Sequence, residues 1–320
     1  MTVVSRWTGR EVRILREAMR STRETFAAMV PITFRQLSTW EARGESMRIK
    51  AVNQAALDTI LARAGVAVQQ RFAAMITEQA AAEHDEHAEE LLRRDPRTTR
   101  HPVDNKIMTL VEAGIFLSGP DNVPSWLDAF RIDVYPTTNA DYEKFVQNAG
   151  HRPPRHWPGG RCPASLNDHP VVWVTWDDAM AYAGWCGKAL PSVHQWEKAA
   201  RGSRGRNYPW GDVPTAAKCN TAESGIGATT PVTRYRSGAS PYGVHDLCGN
   251  VWEWCSTEEA PGRNRRHLRG SAFTSPFERA MPSLPNTADA SMLDNDTGFR
   301  CVTPVSGDSN ERCVLREVAP

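Results

Sequence analysis

Between Thr8 and Ala64 the apolar residues recur every three or four positions, the spacing that keeps side chains on one face of an α-helix. Val12, Leu15, Ala18 and Met19 predict a first helix. Ser21 as N-cap, with Glu24 at the capping-box position, opens a second whose apolar side is Phe26, Ala27 and Val30. After a turn at Pro31-Ile32, Thr33 caps a third helix from Phe34 to Arg43 that stops before Gly44. A fourth, from Ala51 to Ala64, turns Ala56, Leu57, Ile60 and Leu61 inward. The next helical stretch, Gly65 to Arg94, is apolar at Val68, Phe72, Met75 and Ile76, becomes acidic from Glu83 to Glu90, and ends in the charged run around Pro96.

After about residue 105 the pattern changes. Short strand-like pieces (Lys106 to Leu110, Ile115 to Leu117, Phe130 to Val134) alternate with turns rich in Gly and Pro, and three helices are expected at Thr138 to Gly150, Thr175 to Lys188 and Ser192 to Ala200. Nine of the eleven tryptophans fall here, which argues for a second hydrophobic core rather than an extension of the first. The predicted fold class is therefore α+β, with an all-α unit over 1–70, a helical linker over 71–104, a larger domain with much irregular backbone over 105–304, and a tail over 305–320.

Charge and cysteine usage refine this division. The formal charge of +1 excludes a polycation, but residues 1–70 hold eleven Lys and Arg against six Asp and Glu, a local excess of five that suits a phosphate-facing surface. No run of eighteen apolar residues and no apolar leader after Met1 occurs, so a cytoplasmic protein without a membrane span is expected. The seven cysteines are scattered, odd in number and without a C-x-x-C pair, which reads as small buried residues rather than a zinc site or disulfide frame. His84 and His87, three apart, could hold a metal with Glu90, although a solvated helical face accounts for them more simply.

Two short helices joined by a tight turn, the second carrying Arg, Gln and Thr outward, form a helix-turn-helix whose second helix could enter a major groove. Residues 9–64 resemble the Cro/cI-type (xenobiotic-response-element) DNA-binding family through Leu15-Arg16, Phe26-Ala27, Ile32-Thr33, Leu37-Ser38, Trp40-Glu41 and Gly44, with Pro31 where that family's turn often has glycine. The resemblance implies that Thr33, Arg35, Gln36 and Thr39 approach base edges of double-stranded DNA and that Thr22, Arg23 and Arg43 lie near phosphates. Paired sites being usual for such helices, a homodimer is expected. A helical bundle used for protein contact is the alternative.

In the larger domain, Tyr135-Pro136-Thr137-Thr138-Asn139, His169-Pro170-Val171-Val172-Trp173-Val174, Gly187-Lys188-Ala189-Leu190-Pro191, Gln195-Trp196-Glu197, Tyr208-Pro209-Trp210-Gly211, Gly249-Asn250-Val251-Trp252-Glu253-Trp254 and Thr297-Gly298-Phe299-Arg300 stand in order. Together they resemble the formylglycine-generating enzyme (sulfatase-modifying factor) family, which implies a variant of the C-type lectin fold. The resemblance also implies structural calcium, held at one site by Asp246, Gly249, Val251 and Glu253 and at a second by Asn220, Thr221, Glu223 and Ile226, an oxygen-rich mixture that suits this hard cation. The family's catalytic copper needs two thiolates, since copper(I) requires soft sulfur. Thr274 and, approximately, Arg279 occupy those positions here, so no copper is expected. A cleft floored by Trp252 and Phe273 and rimmed by Arg269, Ser271, Thr274, Ser275 and Arg279 suits a peptide or small polar ligand. The resulting expectation is a DNA-binding regulator with a catalytically silent ligand-binding domain. The alternatives are an oxygen-using metalloenzyme of the same superfamily and a scaffold in a larger assembly.

Overall fold

In a computed structural model, which describes residue 4 and residues 7–305, five helices lead into a domain of three small sheets. The helices are α1 (Gly9–Ala18), α2 (Arg23–Met29), α3 (Phe34–Arg43), α4 (Ala51–Arg63) and α5 (Val66–Arg94). Their apolar faces meet in a core built on Trp7, Val12, Leu15, Phe26, Leu37, Trp40 and Leu57, and Phe72 ties α5 to it by stacking on Trp7 at 5.7 Å. Capping boxes of Thr8 with Glu11 and of Thr33 with Gln36 start α1 and α3, satisfying amide groups the helix itself leaves unpaired. The second helix begins one residue later than its sequence suggests. Thr22, not Ser21, accepts from the Thr25 amide, and Glu24 makes no capping box. Pro31 closes the α2–α3 turn at φ +27, against the ring's preference for about −65°.

The larger domain comprises β1 (Thr98–Arg100), β2 (Ile107–Val111), β3 (Gly114–Ser118), β4 (Val123–Leu127), β5 (Phe130–Asp133), α6 (Asn139–Ala149), α7 (Trp176–Trp185), α8 (Val193–Arg201), β6 (Trp252–Glu258), β7 (Arg265–Arg269), β8 (Asn286–Asp289), β9 (Thr297–Gly298) and β10 (Val302–Pro304). Its sheets run β1-β2-β5-β10, β3-β4 and β8-β7-β6-β9. Because Thr98 pairs with Thr109 and Arg100 with Ile107, the domain starts before residue 105, and the linker helix is α5 alone. The last strand, β10, pairs with β5 (Val302 with Ile132), so residues far apart in sequence close the first sheet. The aromatic core of Tyr142, Phe145, Trp157, Tyr182, Trp254 and Phe299 fills the space between α6, α7 and the third sheet.

Buried ions supplement this core. Lys188 Nζ lies 2.7 Å from both Asp104 and Asp133, with all three side chains essentially inaccessible. Arg201 pairs with Glu197 at 2.5 Å and donates to the Leu117, Gly119, Gly205 and Arg206 carbonyls. Such groups are tolerated inside a protein only when paired and hydrogen-bonded, and each one here links segments distant in sequence. Among the described residues no helix is long and apolar enough to cross a membrane. The side chains of His84 and His87, together with Cys313 and the tail from 306, lie outside the described residues.

Candidate functional site

The segment 246–250 makes two left-handed turns, with Asp246 at φ +55 and Asn250 at φ +71. Asn250 explains the second. Its amide donates to the Thr230 carbonyl at 3.0 Å and to Asp246 at 2.8 Å, while its oxygen accepts from the Thr230 amide and from Asn220, so one side chain fastens three loops. Gly249 is required at φ +80 because a Cβ there would stand 2.3 Å from the Asn220 carbonyl oxygen. After this clamp the chain extends into β6. Glu253, the first acidic residue of that strand, accepts from Arg300 Nε and Nη2 and from Trp196 Nε1, each at 2.7 Å.

The expected metal ligands also carry contacts within the protein. Glu253 is the fully buried partner of Arg300, so its charge is neutralised within the protein. Asp246 remains the buried carboxylate of the first set. Desolvation, aided by neighbouring Glu253, raises its pKa to about 7, the electrostatic condition a bound cation relieves. The second set is likewise engaged within the protein. Asn220 spends its amide on the Ala228 carbonyl and Asn250 and its oxygen on Ser224. Glu223 accepts from the Thr221 hydroxyl and the Phe277 amide. Ile226 joins this loop by donating its amide to Ser224.

The expected cleft is partly rearranged. Trp252, Ser271 and Phe273 are buried, and Ser271, at φ +69, leaves its hydroxyl without a partner among the described residues. Arg269 is not on the rim: it is buried and donates to the Pro282, Ser283 and Leu284 carbonyls, because the chain after β7 folds back over it. Thr274 and Arg279 are exposed and Ser275 is half-buried. The Thr274 hydroxyl donates to Asp296. Burial and nearby Asp294 hold the Asp296 carboxyl above the usual range, while that hydrogen bond opposes the rise.

The 294–296 loop also organises two tryptophans. Its carbonyls accept from the Trp173 amide (Asp294, 2.9 Å) and the Trp252 amide (Asp296, 2.8 Å). Trp173 is strained at φ +62, and the Arg155 guanidinium lies 3.8 Å from the centre of its ring, a cation–π contact. Arg155, Asp294 and Asp296 were not singled out from the sequence, and Trp173 was read only as part of the His169–Val174 motif. The run Asp294-Asn295-Asp296 reads as an ordinary polar turn, and only the contacts of the folded chain join it to Thr274. The result is a polar surface at Thr274 with an acidic neighbour in Asp296 and a hydroxyl where a thiolate would be needed. The described cysteines are free thiols, and burial raises Cys255 to about 12 and Cys301 well above its ordinary value. A separate hollow of about 240 Å³ lies away from this site, between α5 and the start of α6, with Ile76, Ala88, Lys106 and Asp141 on its walls.

Residues 93–305 match the family of sulfatase-modifying factor enzyme 1-like domains. The chain belongs to that family. Among curated members it is 29% identical over 279 residues to the inactive C-alpha-formylglycine-generating enzyme 2 of Mus musculus, covering 65% of this chain and 89% of that protein. It is 35% identical over 181 residues to the hercynine oxygenase of Mycolicibacterium thermoresistibile, covering 47% of this chain but only 40% of that protein. With the formylglycine-generating enzyme of Streptomyces coelicolor the identity is 38% over 168 residues, 42% of this chain and 52% of that one. The chain thus spans about half or less of two of these three relatives. The solved structure of PvdO from Pseudomonas aeruginosa superposes with a TM-score of 0.56 at 22% identity, covering 65% of this chain and 98% of the other, which establishes the fold of the sulfatase-modifying factor domain.

In the helical region, some of the proposed recognition residues hold the helix itself. Thr33 and Gln36 form the α3 capping box, and Thr39 donates to the Arg35 carbonyl. Thr22 caps α2, and Arg23, expected near phosphate, bonds Glu41 at 2.7 Å. The side chains of Arg35 and Arg43 make no hydrogen bond or ion pair among the described residues, and both residues are exposed.

Proposed function

We propose that the chain is a DNA-binding regulator in which a sulfatase-modifying factor domain reads a peptide or small polar ligand without copper chemistry. The observation that carries the first half is the α2–α3 pair. Arg16 and Arg23 bind Glu41 at 2.6 and 2.7 Å and fix α3 against α1 and α2, leaving Arg35, Thr39 and Arg43 facing outward on a unit with an excess of five positive charges. A helix held this way can meet base edges and phosphates without reorganising. The same surface charge predicts binding to random duplex that weakens steeply with salt; absence of binding at low salt would remove this half.

The second half is supported by Thr274, whose hydroxyl cannot replace a thiolate for copper(I), and by the similarity to a relative named as inactive. The hercynine oxygenase and formylglycine-generating enzyme relatives favour a second reading, an oxygen-using metalloenzyme. Metal analysis of protein purified without chelator separates the two: stoichiometric copper or iron with oxygen consumption supports the enzyme, and calcium alone supports the regulator. For calcium we propose one site, in which Asp246 supplies the carboxylate and the Gly249 and Val251 carbonyls complete the oxygen set. Bound there, calcium supplies charge balance for a buried carboxylate and braces the loop that Asn250 clamps.

A further inference from the structure

At the junction between α5 and the domain, a pocket of about 160 Å³ is walled by four arginines, Arg97, Arg201, Arg204 and Arg206, together with Ser203 and Tyr242. The turn that carries three of them is sharply defined. Gly202 at φ +67 approaches Pro241, whose Cγ would stand 3.2 Å from an added Cβ, and Gly205 at φ +64 leaves no space for one beside Asn122 and Leu117. Arg201 underpins the turn by donating to the Gly205 and Arg206 carbonyls, so the positions of residues 203–206 follow from a buried side chain rather than from surface chance.

The charges do not balance. Arg201 is neutralised by Glu197 and Arg97 by Asp95; Glu112 acts on Arg97 and Tyr242 through space without bonding either. Arg204 and Arg206 have no side-chain hydrogen bond or ion pair among the described residues; Arg204 is exposed, Arg206 half-buried, and Ser203 is exposed beside them. Two unpartnered guanidinium groups flank the hollow, and the Arg97 fork, which also donates to the Pro241 carbonyl at 3.3 Å, borders it. That is a donor-rich, acceptor-poor concavity, and its size suits a tetrahedral anion with a small substituent. Guanidinium forks match phosphate oxygens in geometry and stay charged at every physiological pH.

We propose that this pocket binds a phosphate monoester group, held by Arg204 and Arg206 with Ser203 and the edge of Arg97. Neither the family's metal chemistry nor the proposed DNA surface uses these residues. Because Asp95 is the C-terminal cap of α5 and shares Arg97 with the pocket, an occupying phosphate draws on the same guanidinium that secures the end of the linker helix.

Isothermal titration of the full chain with inorganic phosphate in a chloride buffer tests the proposal. In parallel, co-sedimentation with phosphatidylcholine vesicles, with and without phosphatidic acid, asks whether the phosphate is carried on a lipid. Saturable phosphate binding should weaken about tenfold for each of Arg204→Gln and Arg206→Gln, with an unchanged melting temperature because neither side chain holds the fold. Sedimentation that depends on phosphatidic acid and is lost in the double variant supports the same pocket with a lipid headgroup as source. No saturable heat together with no phosphatidic-acid dependence overturns the proposal, as does binding of either probe that the double variant retains.

Discussion

In the helical region, Trp7, Phe26, Leu37, Trp40 and Phe72 make a core of ordinary apolar contacts, and its ionic cluster, Glu41 with Arg16 and Arg23, sits at the edge with Arg23 half-exposed. In the sulfatase-modifying factor domain, the side chains of Lys188, Arg201 and Arg300 are buried to within a few per cent, and each bonds a segment distant from it in sequence. The difference is one of contact range. The helices need capping and one apolar face, which neighbouring residues supply. The domain's long irregular loops lack such periodic pairing, so buried charges and the Asn250 amide satisfy backbone groups that no regular element does. A surface on the helices can therefore be altered with little effect on their fold, whereas almost any polar change inside the domain is structural.

Glu253→Gln should produce the largest break in this comparison. It removes the charge facing Arg300 while leaving the cation buried, and should cost about 3–5 kcal/mol. Denaturant unfolding followed by tryptophan fluorescence of the domain should show it, with the transition of the helical region unmoved; a loss below about 1 kcal/mol would mean that the pair is dispensable. Glu41→Gln should cost about 2 kcal/mol, less because Arg23 can turn to water. Here the affected transition is that of the helices, and an equal shift of both transitions would show that the two regions unfold as one.

A smaller effect is expected from pH. His169 bonds Thr229, and burial, reinforced by Arg234, lowers its pKa to about 4. A histidine held neutral in the fold binds fewer protons than the unfolded chain between its folded and unfolded pKa values, so stability is full above about 6.5 and declines as pH falls toward 4. His169 alone should contribute a loss of about 1–2 kcal/mol over that window, read as the difference between the pH profiles of the parent chain and His169→Asn, because Asp246, with its pKa raised to about 7, changes stability in the opposite sense; a profile identical in the variant would remove His169 from the account. The smallest change is Pro31→Gly, expected to raise the stability of the helical region by about 1 kcal/mol by relieving the φ of +27. A lower melting temperature would show that the proline's rigidity outweighs its strain.

Legibility in the sequence follows the same division. The helix starts at Thr33, Thr138, Thr175 and Ser192 were readable because each cap and its N3 partner lie three residues apart. The fold of the larger domain was legible from the order of its motifs. The pairing of Glu253 with Arg300 was not legible, because the two residues stand forty-seven positions apart and meet only in the folded chain. Arg269 was mistaken for a rim residue for the same reason, since the carbonyls that bury it come from 282–284. Asp294 and Asp296 carried no local signal because their bonds to Trp173 and Trp252 are backbone contacts made only in the folded chain.

If the helices present a nucleic-acid surface on a rigid frame, binding should vary independently of folding. Fluorescence anisotropy of a labelled random duplex with the full chain, across a salt series, measures this. The expected result is binding at low salt that falls log-linearly with salt, and an Arg35→Ala/Arg43→Ala variant that binds at least about tenfold more weakly with a shallower salt slope and an unchanged melting temperature. No binding at low salt, or binding that the double variant leaves intact, would contradict a DNA-binding role for α3.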